Sequence, residues 1–430
     1  MNCISAFSQL PTRWALLASL LLAAACGVPA SESADRANTR EYSLHYTLAP
    51  DPSTSTVLVT MRLRQPFNLV REISFALNTD MSDIGGDGDL RIRRGRAQWF
   101  PPSDGGVLEW RVVVHNTRGK DTFDALLNGQ WGLFRAEDVI PRARTRTLKG
   151  ATSRTTLAFE LPSGWSVVTE YSGRERPFLI DRKDRRFDEP TGWIAMGNLG
   201  VRRETIAGTR VAIAAPQGHN VRRMEMLALL NWTLPELNEI LPDALPRLTI
   251  VSAGAPMWRG GLSAPASFFL HADRPLISEN GTSSLLHEVI HTALGLRPQP
   301  GSDWIVEGLA EYYSIELLRR GKAISARRAR MAFEHLGEWA EQADTLCGAT
   351  STGASTALAV VLFKELDQEI SDKSEGAKSL DDLLPLLAND AVDLETLATA
   401  ASGLIGSTPD ALHSDSLPGC PTIAGNNQEL

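Results

Sequence analysis

His287-Glu288-Val289-Ile290-His291 sets two imidazoles four residues apart, and Trp304-Ile305-Val306-Glu307-Gly308 follows about 15 residues later. On an α-helix, positions i and i+4 lie one turn apart on the same face, so two imidazoles spaced in this way can grip one divalent cation. Glu288 then stands beside the ion, where it can take a proton from bound water. Glu307 is the natural third ligand, and two His plus one Glu leave a fourth position open. With 8 His and 51 acidic residues in 430 positions, roughly 0.02 such motifs are expected by chance.

The neighbours predict the helix that positions these groups. Asn280-Gly281-Thr282-Ser283-Ser284 supplies a polar start, Leu285, Leu286, Val289 and Ile290 an apolar stripe, and Gly295 with Pro298 a stop. Two imidazoles on a buried helix are costly to desolvate unless a partner such as a metal ion takes their nitrogens. A second helix is predicted from Asp303 to Arg320. Glu307 and Glu311 share a face of it, so Glu311 can accept the free N–H of a ligand imidazole. The competing reading of Glu311 is a surface carboxylate paired with an Arg. Tyr312 and Tyr313 point to different faces, and one of them is expected in the core.

At 430 residues and 43% hydrophobic content, the chain is long enough for two ordinary domains with real cores. A net charge of −8 provides no broad basic field and argues against nucleic acid as a partner. Arg142-Ala143-Arg144-Thr145-Arg146 and Arg182-Lys183-Asp184-Arg185-Arg186 read as solvated faces. The apolar run Trp14 to Ala25 after Arg13 is too short to span a membrane comfortably and ends in small residues, as an export signal does. Leu22-Ala23-Ala24-Ala25-Cys26-Gly27 also resembles a lipoprotein signal, with Cys26 as the lipidated residue; ordinary cleavage near Ala25 is the other reading. Either predicts an exported protein, and in the first case its only membrane contact is an N-terminal lipid anchor. Cys347 and Cys420 are then an even pair in an oxidising compartment, and a disulfide between them is expected.

Residues 1–25 read as signal and 26–40 as a small, polar tether. From 41 to 215 the pattern has period two. Tyr42, Leu44, Tyr46 and Leu48 alternate with polar residues, as do Val57, Val59, Met61 and Leu63, which predicts an antiparallel β domain. From 216 to 405 helical patterns dominate: Val221 to Leu241, with Pro235 as a kink or fresh start, then stretches near 325–345, 354–370, 379–388 and 393–404. Short strands are expected at Leu248–Val251 and Ala266–Leu270. The fold class is therefore α+β. Residues 406–430, rich in Gly, Pro, Ser and Asn, are expected to be loose.

HEVIH followed by WIVEGLAEYY after a β-rich half resembles the gluzincin zinc metallopeptidases, and most of all the glycyl aminopeptidase family. The resemblance spans roughly residues 40–400 and is strong in motif only from 257 to 316. It implies a mainly helical, thermolysin-like zincin catalytic domain binding one Zn2+ through His287, His291 and Glu307. Glu288 is implied as general base, and the substrate as a peptide or protein. Typical members carry a PDZ domain after the catalytic part, and none is expected here.

Two features depart from that family. Its cleft strand carries a Gly-Gly-Leu-Glu-His type segment, whereas this chain has Gly260-Gly261-Leu262-Ser263-Ala264. Gly260 and Gly261 keep the backbone open to substrate, but the acidic residue that could hold a free α-amine is missing, so aminopeptidase and endopeptidase activity both stay open. No Tyr follows Tyr313 to steady an oxyanion, and the corresponding region, Ala349-Thr350-Ser351-Thr352-Gly353, is rich in Ser and Thr. His335, His271 or Arg259 would have to serve, or turnover is weak, since one such donor is typically worth about 10² to 10³ in rate. The leading expectation is a zinc-dependent peptidase of the bacterial cell envelope. The alternative is a catalytically poor, zinc-binding envelope protein that uses a peptidase fold as a binding or assembly module.

Overall fold

The structure, a computed structural model, describes residues 40–171, 176–180, 189–388, 390–413 and 417–420. The signal, the tether as far as residue 39 and Cys26 lie outside the described residues, as do 421–430. The protein is α+β, with a sheet-rich region followed by a helical one.

Alternation along Glu41–Asp51 buries Tyr42, Leu44, Tyr46 and Leu48 on one face. The strand pairs antiparallel with Thr56–Arg64, so that Leu44 faces Leu63 and Tyr46 faces Met61. These two are central in a six-stranded sheet that also holds Phe178–Ile180, Thr152–Phe159, Gly105–Val113 and Met81–Gly86. The sheet is not purely antiparallel as expected, because Glu41–Asp51 runs parallel to Thr152–Phe159. A hairpin turn forces antiparallel pairing, but a strand returning after about a hundred residues is free of that constraint. A four-stranded antiparallel sheet of Ala143–Thr147, Val70–Ala76, Arg96–Phe100 and Asp89–Arg93 shares the same core through Ile73, Phe75 and Trp99.

A third sheet, of Ser166–Thr169, Trp193–Gly197, Trp131–Arg135, Phe123–Leu127 and His115–Thr117, joins the two regions. One face gives Val167, Phe134, Ile194 and Met196 to the first core. The other gives Val168, Leu133, Trp193 and Ala195 to a second core shared with Ala212, Ala214, Val251 and Phe269. Those partners belong to a fourth, mixed sheet, in the order Leu199–Ile206, Thr209–Pro216, Arg247–Ala253, Ser267–His271, Gly261–Ala264. The sheet-rich region thus runs on through this fourth sheet before the run of helices from Ser284 onward begins. Period two reports a strand but not the sheet it joins. Thr209–Pro216, buried on both faces from Val211 onward, pairs in parallel with Arg247–Ala253.

The helices are α1 (Ala136–Val139), α2 (Arg223–Ile240), α3 (Ser284–Leu294), α4 (Asp303–Arg320), α5 (Ala326–Ala340), α6 (Ala354–Lys373), α7 (Leu380–Leu387) and α8 (Leu394–Ile405). Helices α2 to α8 build the third core against Val211, Ile213, Ile250, Phe268 and Leu270 of the fourth sheet. Pro235 sits inside the continuous α2. Burial of Leu230, Leu234 and Leu237 around it, at about 1.5 to 3 kcal/mol for each side chain, outweighs a proline penalty of about 3 kcal/mol.

Tyr312 and Tyr313 are both buried, where one was expected in the core. Their hydroxyls donate to Asp367 (2.8 Å) and Asp381 (2.9 Å), so the polar tip of each ring is satisfied without reaching water. After α8, two leucines and one cysteine pack onto the helical region. Leu412 and Leu417 are buried, and Cys420 is bonded to Cys347 as expected. No helix among the described residues is long and apolar enough to cross a membrane.

Candidate metal centre

α3 starts where the Ser283 side chain accepts the Leu286 N–H (3.3 Å) and stops where Gly295 takes the left-handed conformation, its N–H donating to the His291 carbonyl. Leu285, Leu286, Val289, Ile290 and Leu294 are buried on one side. That burial turns His287 and His291 toward α4 and Glu288 toward the strand Gly261–Ala264.

α4 approaches because α6 holds it from behind. A Cβ on Gly308 would come within 2.6 Å of Ala359 Cβ and 2.9 Å of the Phe363 ring, so only glycine lets α4 lie this close to α6. The Gly308→Val variant is expected to lose about 1 to 3 kcal/mol of stability through overpacking of this seam, measured by urea unfolding; an unchanged midpoint would remove glycine's role here. At the start of α4, Asp303 accepts the Ser351 N–H (2.7 Å). The Ser- and Thr-rich segment 349–353 therefore secures a helix end.

The result is a compact donor group. Glu307 Oε2 lies 3.2 Å from His287 Nε2, Glu307 Oε1 lies 3.4 Å from His291 Nε2, and the two Nε2 atoms are 3.0 Å apart. All three ligating atoms fall within 4.8 Å of one another. Two imidazole lone pairs aimed at each other across 3.0 Å repel unless a proton or cation lies between them. Burial opposes charge on His287, yet Glu307 and Glu311 hold its pKa up to about 10. Burial also works against an ionised Glu307, but the two imidazoles win and keep it far below the usual carboxylate range. This set of nitrogen and carboxylate donors, built to stabilise positive charge, fits a divalent cation.

Glu311 is not a surface carboxylate paired with Arg. Its Oε2 accepts from His287 Nδ1 at 2.9 Å, which leaves Nε2 turned toward Glu307 and His291. The Glu311→Gln variant is expected to bind the metal about 10- to 100-fold more weakly while folding normally, as competition with a chelating dye would show. Unaltered affinity would demote Glu311 to packing.

Glu288 is buried, and burial raises its pKa against the pull of His291 and His287. Its carboxylate occupies the space above Gly261 that a Cβ would fill. Gly260 is likewise covered, by the Trp258 ring, over which Arg118 stacks at 3.9 Å. The His271 N–H donates to the Gly260 carbonyl (3.0 Å). By antiparallel alternation, Leu262 and Ala264 also bond inward, and Gly261 and Ser263 turn their backbone groups to the open edge of the sheet. Beneath, Trp193 Nε1 donates to the Leu262 carbonyl (2.9 Å) and steadies the strand.

Of the three expected oxyanion donors, His335 is half exposed and bonded to Asn280. His271 is buried, its Nδ1 accepting the Asp273 N–H, and burial lowers its pKa. The charge of Arg259 acts on His271 and adds to the lowering of its pKa. Sequence reasoning missed Arg274, whose charge acts on both Glu288 and His271 and whose Nε is buried without a hydrogen-bond partner. It lies in the connection between strand and helix, where no periodic signal marks a residue.

The fold is similar to that of an aminopeptidase N family protein from Idiomarina loihiensis, known from a crystal structure. The TM-score is 0.60 over 88% of this chain and 74% of that one, at 15% sequence identity. No protein-family model and no curated protein matches the sequence. An aminopeptidase-like fold and a His287, His291, Glu307 group able to hold a metal are thus established together.

Proposed function

We propose that the protein is a zinc-dependent peptidase of the gluzincin type, cleaving peptide bonds in the bacterial cell envelope. The observation that carries this reading is the convergence of His287, His291 and Glu307 beside a buried Glu288 and an open strand edge. A bound zinc ion would supply Lewis acidity for the peptide carbonyl and for water. His287, His291 and Glu307 hold the ion, and Glu311 fixes the His287 ring. Glu288 takes a proton from the attacking water and passes it to the leaving amine. The outward backbone groups of Gly261 and Ser263 pair with an extended substrate.

Export is supported by the apolar run ending at Ala25 and by the Cys347–Cys420 bond, which an oxidising compartment preserves. Anchoring at Cys26 belongs to the same proposal. The second reading, a zinc-binding module of low activity, draws on one observation: no Tyr follows Tyr313, and His335 is exposed and bonded to Asn280. Incubation of the purified protein with a peptide library, with and without chelator, separates the two. Cleavage that the chelator abolishes is expected, and its absence in both arms would favour the module. Running the same peptides with blocked N-termini decides between endopeptidase and aminopeptidase action.

A further inference from the structure

A cavity of about 950 Å³ opens directly beside His291. It runs past the end of the open strand along Ser263 to Ala266, over a floor of Ala244 to Arg247, and is bounded by the end of α3 and Arg297. A peptide laid along the outward edge of Gly261 and Ser263 would be led into it. The volume is that of a ligand pocket able to take more than one side chain.

Its charge is one-sided. Among the described residues that line it, Arg247 and Arg297 are the full charges besides the metal-facing His291, and no Asp or Glu is present. Arg247 is already paired from behind, its Nε 3.5 Å from an oxygen of the buried Glu170 and its guanidinium 5.5 Å from the Tyr171 ring, so the charge offered to a ligand is chiefly that of Arg297. Arg297 is exposed at the mouth, anchored by its backbone to Ala391 and to the Asp390 carbonyl. The C-terminal end of α3 also faces the cavity, but a helix end amounts to about half a negative charge, less than one guanidinium. Arg297 stands out all the more because the whole chain carries −8.

We propose that this cavity receives a carboxylate of the peptide substrate, as an acidic side chain or a chain-terminal carboxylate, a few residues from the scissile bond. The proposal rests on the peptidase reading above, and it selects acidic peptides among the possible substrates.

The test is binding, measured by fluorescence anisotropy on the Glu288→Gln protein so that turnover does not intervene. Labelled peptides carry Glu, Gln or Lys at each position in turn, with free or amidated C-termini. At one register, Glu or a free terminus is expected to bind about tenfold more tightly than Gln or an amide, the size of one charge-assisted hydrogen bond in a half-solvated site. A preference confined to Glu assigns the side chain, and one confined to the free terminus assigns the chain end. Adding Arg297→Glu, at an exposed position where the fold tolerates the change, is expected to erase that preference or turn it toward Lys. Equal affinities across the series, or a preference that survives Arg297→Glu, would overturn the proposal. Cleavage of the same peptides by the unaltered protein, with and without chelator, reports on the peptidase reading separately.

Discussion

Replacing Glu288 by Gln is expected to lower kcat by roughly 10³-fold, within the range that a positioned general acid–base contributes, while metal content stays at one ion per chain. Gln keeps the volume that fits over Gly261, so the helix, the strand and the donor group should remain in place. What it loses is the ability to accept a proton from water and return it to the leaving amine. Glu288 touches neither end of the shared donor contacts among His287, His291 and Glu307, which is why catalysis and metal binding should separate. Turnover kinetics beside elemental analysis of the same preparation check this. A variant that retains full activity would leave Glu288 without the role assigned to it.

The second large effect is expected at Glu307. Glu307→Ala leaves two imidazoles without their shared carboxylate, and the protein should be recovered essentially free of metal, inactive, and several degrees less stable than the loaded protein. Binding to the native state alone stabilises by about 4 kcal/mol when free ligand is a thousand times its Kd. The size of the chelator effect in the unaltered protein should also depend on pH. Without the ion, Glu307 and Glu311 hold protonated His287 up to about 10, against 6.5 in the unfolded chain. A raised folded-state pKa contributes stability that is complete below 6.5 and lost as pH rises through about 10. The metal-free protein should therefore weaken across that window, and chelation should lower Tm more at pH 9 than at pH 6.5. A chelator effect that shrinks with pH would contradict the assignment of His287.

Helix α3 was legible almost to the residue, because its signals are local. Ser283 caps it, Gly295 ends it, and the spacing of Leu285, Leu286, Val289 and Ile290 fixes which side is buried. The side left over necessarily carries His287 and His291. α4 was equally plain from Asp303 to Arg320, and Glu311 followed from its four-residue offset from Glu307. The strands of the first region could be read from period two, but not their partners. Thr152–Phe159 could pair with Glu41–Asp51 in either sense, and Thr209–Pro216 carries no mark of the sheet that it joins.

The sequence by itself determined the chemistry on offer: two imidazoles, a base and a carboxylate, each on a helix whose ends and buried face are set by residues within a few positions. Only the tertiary structure decided that these groups meet, because their distances depend on how closely α6 can press on α4 at Gly308 and how Gly261 makes room for Glu288. The same holds for Arg247 and Arg297, charges from separate segments that line one cavity through packing alone. Local propensity acts over a turn or two of chain, whereas a site is an agreement among segments that share no sequence neighbourhood.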